Sequence, residues 1–272
     1  MKVDVRGLCF EVNVAGPDRG APVLLLHGFP QHAGEWDQVA PGLHAAGYRT
    51  IAPNQRGYTP DARPKQWQDY KMSECVADVL AIVDELVPGP VDVVGHDWGA
   101  LVGWQLASMH PDRVRSLTAV SVPHPLAIRD ALREDPEQRE RLSYLKLFRN
   151  TEKAEQVLLE EDAKRLRDLF DGVPAEAVDG YLEPLLEPGG LTGPLLWYRA
   201  QSRADEDGIG PARVPTTFVW GEEDPGFGSL SARRCGAHVL GEYRFVPLTD
   251  TGHWIPDQAP QQLTAAILHR LG

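Results

Sequence analysis

The sequence predicts an α/β fold: a mostly parallel, twisted sheet flanked by helices, with a helical cap inserted late in the chain. Three observations carry that expectation. Short apolar runs alternate with helical patterns at both ends of the chain, the rhythm of strand–helix–strand units with right-handed crossovers. Residues 23–26, "VLLL", are continuously apolar, as a strand buried on both faces of a parallel sheet must be. The alternation then breaks after Pro125, where a charged, helix-prone stretch punctuated by prolines and glycines continues to Asp207. The expected organisation is a core of residues 1–125 and 210–272 with a helical cap over 126–209.

The elements follow in order. "VDVRGLCFEVNVAGP" reads as a hairpin turning at Gly7. "APVLLL" is the first buried strand and "YRTIAP" the next. Val76, Val79, Leu80, Val83, Leu86 and Val87 fall at helical spacing, with Ser73 as the expected N-cap and Pro88-Gly89-Pro90 as the stop. "VDVVG" is a strand, followed by a helix through Met109, and "VRSLTAV" is another strand. Past the cap, "VPTTFVWG" and "EYRFVPL" are strands, and residues 257–271 form a closing helix.

The 272 residues suit one large domain, and 42% hydrophobic with 24% charged residues is ordinary globular composition. A net charge of −12 argues against nucleic acid or an anionic membrane surface as the main partner. No apolar run approaches the length of a membrane span. The first residues alternate like a strand and contain no apolar leader core, so the expected location is cytoplasmic. Cys9, Cys75 and Cys235 are odd in number, far apart and without metal-ligand spacing. They are expected reduced and packed, and neither a metal nor a cofactor is implied.

Ligands of such sheets bind beyond the carboxyl ends of the strands. Four strand ends carry unusual residues: His27-Gly28-Phe29-Pro30, His96-Asp97-Trp98-Gly99, Gly221-Glu222-Glu223-Asp224-Pro225 and Thr249 through Trp254 with His253. "GHDWG" has the frame of a nucleophile elbow, with Asp97 where serine is usual. The chain order is elbow residue, acid, histidine. Glu222, Glu223, Asp224 and Asp250 are all candidates for the acid.

In order and at strand ends, "HGFP", "QRGY", "GHDWGA", "WYR", "WGEEDP" and "GHW" resemble the epoxide hydrolase branch of the α/β-hydrolases from one end of the chain to the other. The resemblance implies that Asp97 is a nucleophile. The chemistry fits: a carboxylate attacking saturated carbon leaves an ester, which water can open, whereas serine would leave an ether. It implies that His253 activates that water, that Asp224 is the acid orienting His253, and that the cap tyrosines Tyr144 and Tyr198 hold and protonate the epoxide oxygen. Backbone N–H groups of Phe29 and Trp98 are the expected oxyanion donors. Pro30 fixes the first loop, and in relatives with "HGFP" its peptide bond tends to be cis. The pocket is expected to be apolar, with Trp36, Pro30, Trp254 and Phe148 in its wall, for a small apolar or aromatic epoxide. Two alternatives stand beside this. A dehalogenase would use the same Asp97, although Phe29 offers no side-chain donor for halide. A ligand-binding protein could also be built on the hydrolase scaffold.

Overall fold

The computed structural model describes residues 1–201 and 208–272. The chain opens with β1 (Lys2–Val5) and β2 (Leu8–Ala15), paired antiparallel across the turn at Arg6 and Gly7. Four buried strands follow with helices between them: β3 (Ala21–Leu26), α1 (Ala40–Ala45), β4 (Tyr48–Pro53), α2 (Met72–Leu86), β5 (Val91–His96), α3 (Trp98–Met109) and β6 (Val114–Val120). Six helices then run without a strand: α4 (Pro125–Glu134), α5 (Pro136–Arg141), α6 (Leu145–Phe148), α7 (Thr151–Arg167), α8 (Ala175–Leu186) and α9 (Thr192–Ala200). The sheet resumes with β7 (Thr216–Gly221) and β8 (Tyr243–Leu248), and the chain closes through helices Ser229–Arg234, Ile255–Gln258 and Pro260–Leu271.

The strand order is β1-β2-β4-β3-β5-β6-β7-β8, antiparallel at β1-β2-β4 and parallel from β4 onward. From β3 the chain steps to β4 on one side and then crosses back over β3 to β5 on the other. The chain therefore diverges between β3 and β5, the place where a parallel sheet opens a crevice at its carboxyl edge.

Side-chain alternation divides the core. Leu24 and Leu26 face one layer, with Val93, Trp104 and inserted-helix residues such as Leu158 and Leu166. Val23 and Leu25 face the other, with Val94, Val219, Leu43, Leu263 and Ile267. The inserted helices are stitched to the core by hydrogen bonds from buried rings: Trp197 Nε1 to Arg56 O at 2.8 Å, Trp254 Nε1 to Leu169 O at 2.8 Å, and Tyr181 hydroxyl to Asp257 Oδ1 at 2.9 Å.

Two local expectations differ, and one helix is broken. Ser73 is not the cap of α2; the helix starts at Met72 behind an extended Lys71 that makes no side-chain cap. The closing helix is two helices, because Ala259 is non-helical and Pro260 opens a new first turn, where a missing N–H costs nothing. Helix α7 is interrupted, with Glu161, Asp162 and Ala163 all left-handed. No helix among the described residues is long and apolar enough to cross a membrane.

Candidate active site

The candidate site begins at the divergence point. Strand β5 ends at His96 and α3 begins at Trp98, so the chain must turn within Asp97 alone. Asp97 is held at φ 49°, ψ −115°, a conformation disfavoured for a side chain other than glycine. Two glycines make room for it. A Cβ on Gly99 would collide with the backbone carbonyl of Leu26, and one on Gly28 would collide with Asp97 itself. The turn pushes the Asp97 carboxylate toward the loop after β3, where Phe29 N–H donates to Oδ1 at 2.9 Å. Trp98 supplies the first amide of α3, one of the four that a helix leaves without an internal acceptor. The Phe29-Pro30 bond is cis.

His253, beyond β8, faces two carboxylates. Its Nδ1 lies 2.8 Å from Asp224 Oδ2 and its Nε2 3.5 Å from Asp97 Oδ2. Asp224 is buried, and its other oxygen accepts from Gly226 N at 2.7 Å and Phe227 N at 3.0 Å. The competing acids Glu222, Glu223 and Asp250 are exposed. Burial works against charge on both members of the facing pair, and their mutual attraction outweighs it. The Asp97 carboxyl is held below the usual range chiefly by His253. Asp224 and Asp97 raise His253 to about 10. In the free protein at neutral pH the two form an ion pair.

A second layer lies beneath His253. Its carbonyl accepts from Ser121 Oγ at 2.6 Å and lies 3.0 Å from His96 Nε2. His96 Nδ1 is 3.2 Å from Glu35 Oε2, both side chains fully buried. Burial pushes His96 down to about 4 and Glu35 well above the carboxylate range. A neutral His96 that donates from Nε2 must accept at Nδ1, so Glu35 serves as a protonated donor. Glu35 and Ser121 were not anticipated, and His96 was marked by its strand end but not for this role. Neither periodicity nor strand-end position marks a buried polar chain, and "HAGEWDQV" reads as an ordinary loop.

Two cavities meet at Asp97. The wider, about 390 Å³, is lined by Phe29, Pro30, Phe148, Leu158, Trp254 and Phe227 among others. The narrower, about 110 Å³, lies between Trp98, Leu101, Val122, Ile128, Leu145 and Arg149. Asp97, Tyr144, Tyr198 and Phe227 belong to both walls. Tyr198 is buried, its ring 4.9 Å from Trp98, 5.3 Å from Phe29 and 5.0 Å from Phe148. Tyr144 packs 5.1 Å from Phe148 and is 39% exposed, on a ring that lines both cavities. Burial, and then the Asp97 charge, push both phenols well above the usual range, so both keep their protons. Trp36 is a correction. It is 1% exposed in the core layer under the opposite face of the sheet and lines neither cavity. Among the described residues no cluster of His, Cys, Asp and Glu is arranged to hold a metal ion.

Residues 21–260 match the family model described as "alpha/beta hydrolase fold". The chain belongs to that family. As an α/β-hydrolase it is 32% identical to epoxide hydrolase A of Mycobacterium tuberculosis, over 99% of this chain and 96% of that one. It is 31% identical to the AB hydrolase superfamily protein YfhM of Bacillus subtilis, over 99% and 96%. Its fold is similar to that of an epoxide hydrolase from Bacillus megaterium solved with its product, with TM-score 0.89, 24% identity, and coverage of 100% of this chain and 99% of that one.

Proposed function

We propose that this α/β-hydrolase converts a small apolar or aromatic epoxide and water into a vicinal diol. The observation that carries the reading is the convergence of two protonated tyrosines, Tyr144 and Tyr198, with a half-buried, ionised Asp97 on the walls of the same two cavities. Asp97 attacks one ring carbon. That carbon–oxygen bond breaks, its electron pair moves to the ring oxygen, and a tyrosine proton neutralises the alkoxide. The product is a hydroxyalkyl ester of Asp97.

Ester formation removes one of the two carboxylate charges that hold the His253 proton. His253 then returns that proton to the tyrosinate and becomes the neutral base the second step needs. Water gives a proton to His253 and attacks the Asp97 carbonyl. Phe29 N–H, and in this reading Trp98 N–H, receive the oxyanion. Collapse releases the diol and restores both Asp97⁻ and His253⁺, so protons balance over the cycle. Asp224 steadies the imidazolium. In this scheme core segments 1–125 and 210–272 supply the nucleophile, base and acid, and the cap, 126–209, supplies the tyrosines. The three unpaired cysteines support a cytoplasmic setting.

The dehalogenase reading keeps one supporting observation, the buried Trp98 Nε1 without a hydrogen-bond partner. It gives the tyrosines no task, since halide leaves without a proton.

The test is the His253→Gln variant, incubated separately with styrene oxide and 1-bromobutane and read by intact mass and peptide mapping. An adduct on Asp97 that retains the epoxide oxygen is expected. Alkylation by the bromide alone would overturn the proposal in favour of dehalogenation, and no adduct from either would leave it without a nucleophile.

A further inference from the structure

The acid of the proposed site sits on a tight turn, residues 224–228, and that turn is held from outside by one short helix. Most of its backbone groups can be followed to a partner. Asp224 Oδ1 closes the turn by accepting from Gly226 N and Phe227 N. Phe227 O accepts from Trp220 Nε1 at 2.9 Å. Three more groups are taken by α5. Arg141 Nη1 donates to Asp224 O at 2.7 Å, Gln138 Nε2 donates to Gly226 O at 2.7 Å, and Gly228 N donates to Gln138 Oε1 at 3.0 Å. Ser231 Oγ lies 3.0 Å from the same Gln138 oxygen.

Gln138 and Arg141 are three residues apart and therefore share a helix face. Gln138 has no exposed surface, so its amide is committed wholly to the turn. Arg141 is braced by Glu137 through two contacts, at 3.1 and 2.7 Å. The helix itself is fixed at its start by Pro136 in the first turn and by the Asp135 carboxylate accepting from Glu137 N at 2.9 Å.

We propose that Gln138 and Arg141 are positioning residues for the second half of the reaction: through them the inserted helices set the register of Asp224 against His253. This deepens the proposed function and rests on it. Ring opening uses Asp97 and the tyrosines, and nothing in it needs Asp224. Ester hydrolysis needs a neutral imidazole whose conjugate acid is stabilised, and the 2.8 Å bond from His253 Nδ1 to Asp224 Oδ2 does that. A turn that slips by a fraction of an ångström weakens that charge-assisted bond and leaves the first step untouched.

The experiment is rapid-quench intact mass spectrometry with styrene oxide on the full chain, comparing wild type, Arg141→Met, Arg141→Lys and Gln138→Leu. Ester formation on Asp97 is expected within about twofold of wild type in the Met and Leu variants, with ester decay slowed about tenfold. The lysine variant, which keeps a donor, is expected to recover most of the decay rate. In steady state kcat and KM then fall together where decay limits turnover, and kcat/KM stays level, because it reports only events up to ester formation. Formation and decay slowing in parallel, or decay unchanged, overturns the inference. If Gln138→Leu does not fold, Arg141→Met, at a partly exposed side chain, carries the test. His253→Gln is the companion. An ester there but none accumulating in Arg141→Met defeats only the positioning role, and no ester in either defeats the hydrolase mechanism beneath it.

Discussion

His253 and Asp97 stand 3.5 Å apart between Nε2 and Oδ2, at the outer limit of a hydrogen bond but close enough for charge to dominate. That spacing leaves the imidazole bonded to Asp224, and its protonation answers to Asp224 first and to Asp97 second. In the proposed mechanism, loss of the Asp97 charge thus makes His253 easier to deprotonate.

The pH dependence should separate the two steps. Free Asp97 is ionised well below its ordinary value, so kcat/KM is expected to be flat across the neutral range. In the ester the Asp97 charge is gone, and His253 falls from about 10 toward its ordinary range, with Asp224 still raising it. An acid limb is therefore expected in kcat and not in kcat/KM, under conditions where ester decay limits turnover. Steady-state profiles on a neutral epoxide check this, and an identical limb in both would remove the link between the two groups.

The two tyrosines should act in the first step alone. Tyr198→Phe and Tyr144→Phe are each expected to slow ester formation about 10²-fold and to leave ester decay within about threefold of wild type. The double variant is expected to lose less than the product of the single losses, because the two phenols act as a unit on one oxygen. Quench-flow rates decide. A variant slowed only in decay would take its tyrosine out of the role.

The raised His253 value is also a statement about stability. A group held at about 10 in the folded chain and 6.5 in the unfolded one contributes fully below 6.5. That contribution is lost as pH rises through 10. The Tm difference between wild type and His253→Gln should therefore shrink steadily from pH 7 to pH 10. A difference independent of pH would contradict the ion pair.

Gly99→Ala tests the elbow. The added methyl meets the backbone carbonyl of Leu26, which cannot swing aside as a side-chain tip can. A loss of about 3 kcal/mol or more is expected, read by denaturant midpoint. A variant of wild-type stability would mean that the elbow is looser than its dihedral angles indicate.

Fold legibility followed periodicity. Strands such as 23–26 and 91–96 could be read because a parallel strand buried on both faces has few ways to be anything else. The four strand ends could be read for the same reason, and the chain does bring Asp97, Asp224 and His253 together there. Trp36 misled because a tryptophan near a strand end carries no sign of which side of the sheet its loop will cross. Ser73 misled because an extended Lys71 made the turn without it. Gln138 and Glu35 were invisible for a deeper reason. Their importance lies in partners 93 and 61 residues away, and a polar residue in a charged or loop-like stretch looks the same whether it meets solvent or a buried carbonyl.

The Asp97 carboxylate is not symmetric. Oδ1 is tied to Phe29 N–H while Oδ2 faces His253. If the carboxylate cannot rotate between turnovers, its two oxygens have separate histories. Oδ1 remains through every cycle as the carbonyl oxygen, while Oδ2 departs on the diol and is replaced from water. After many turnovers in heavy-oxygen water, a peptide containing Asp97 is expected to carry one heavy oxygen; two would show that the side chain flips. On this reading the protein is a stoichiometric reagent renewed in one atom at each pass.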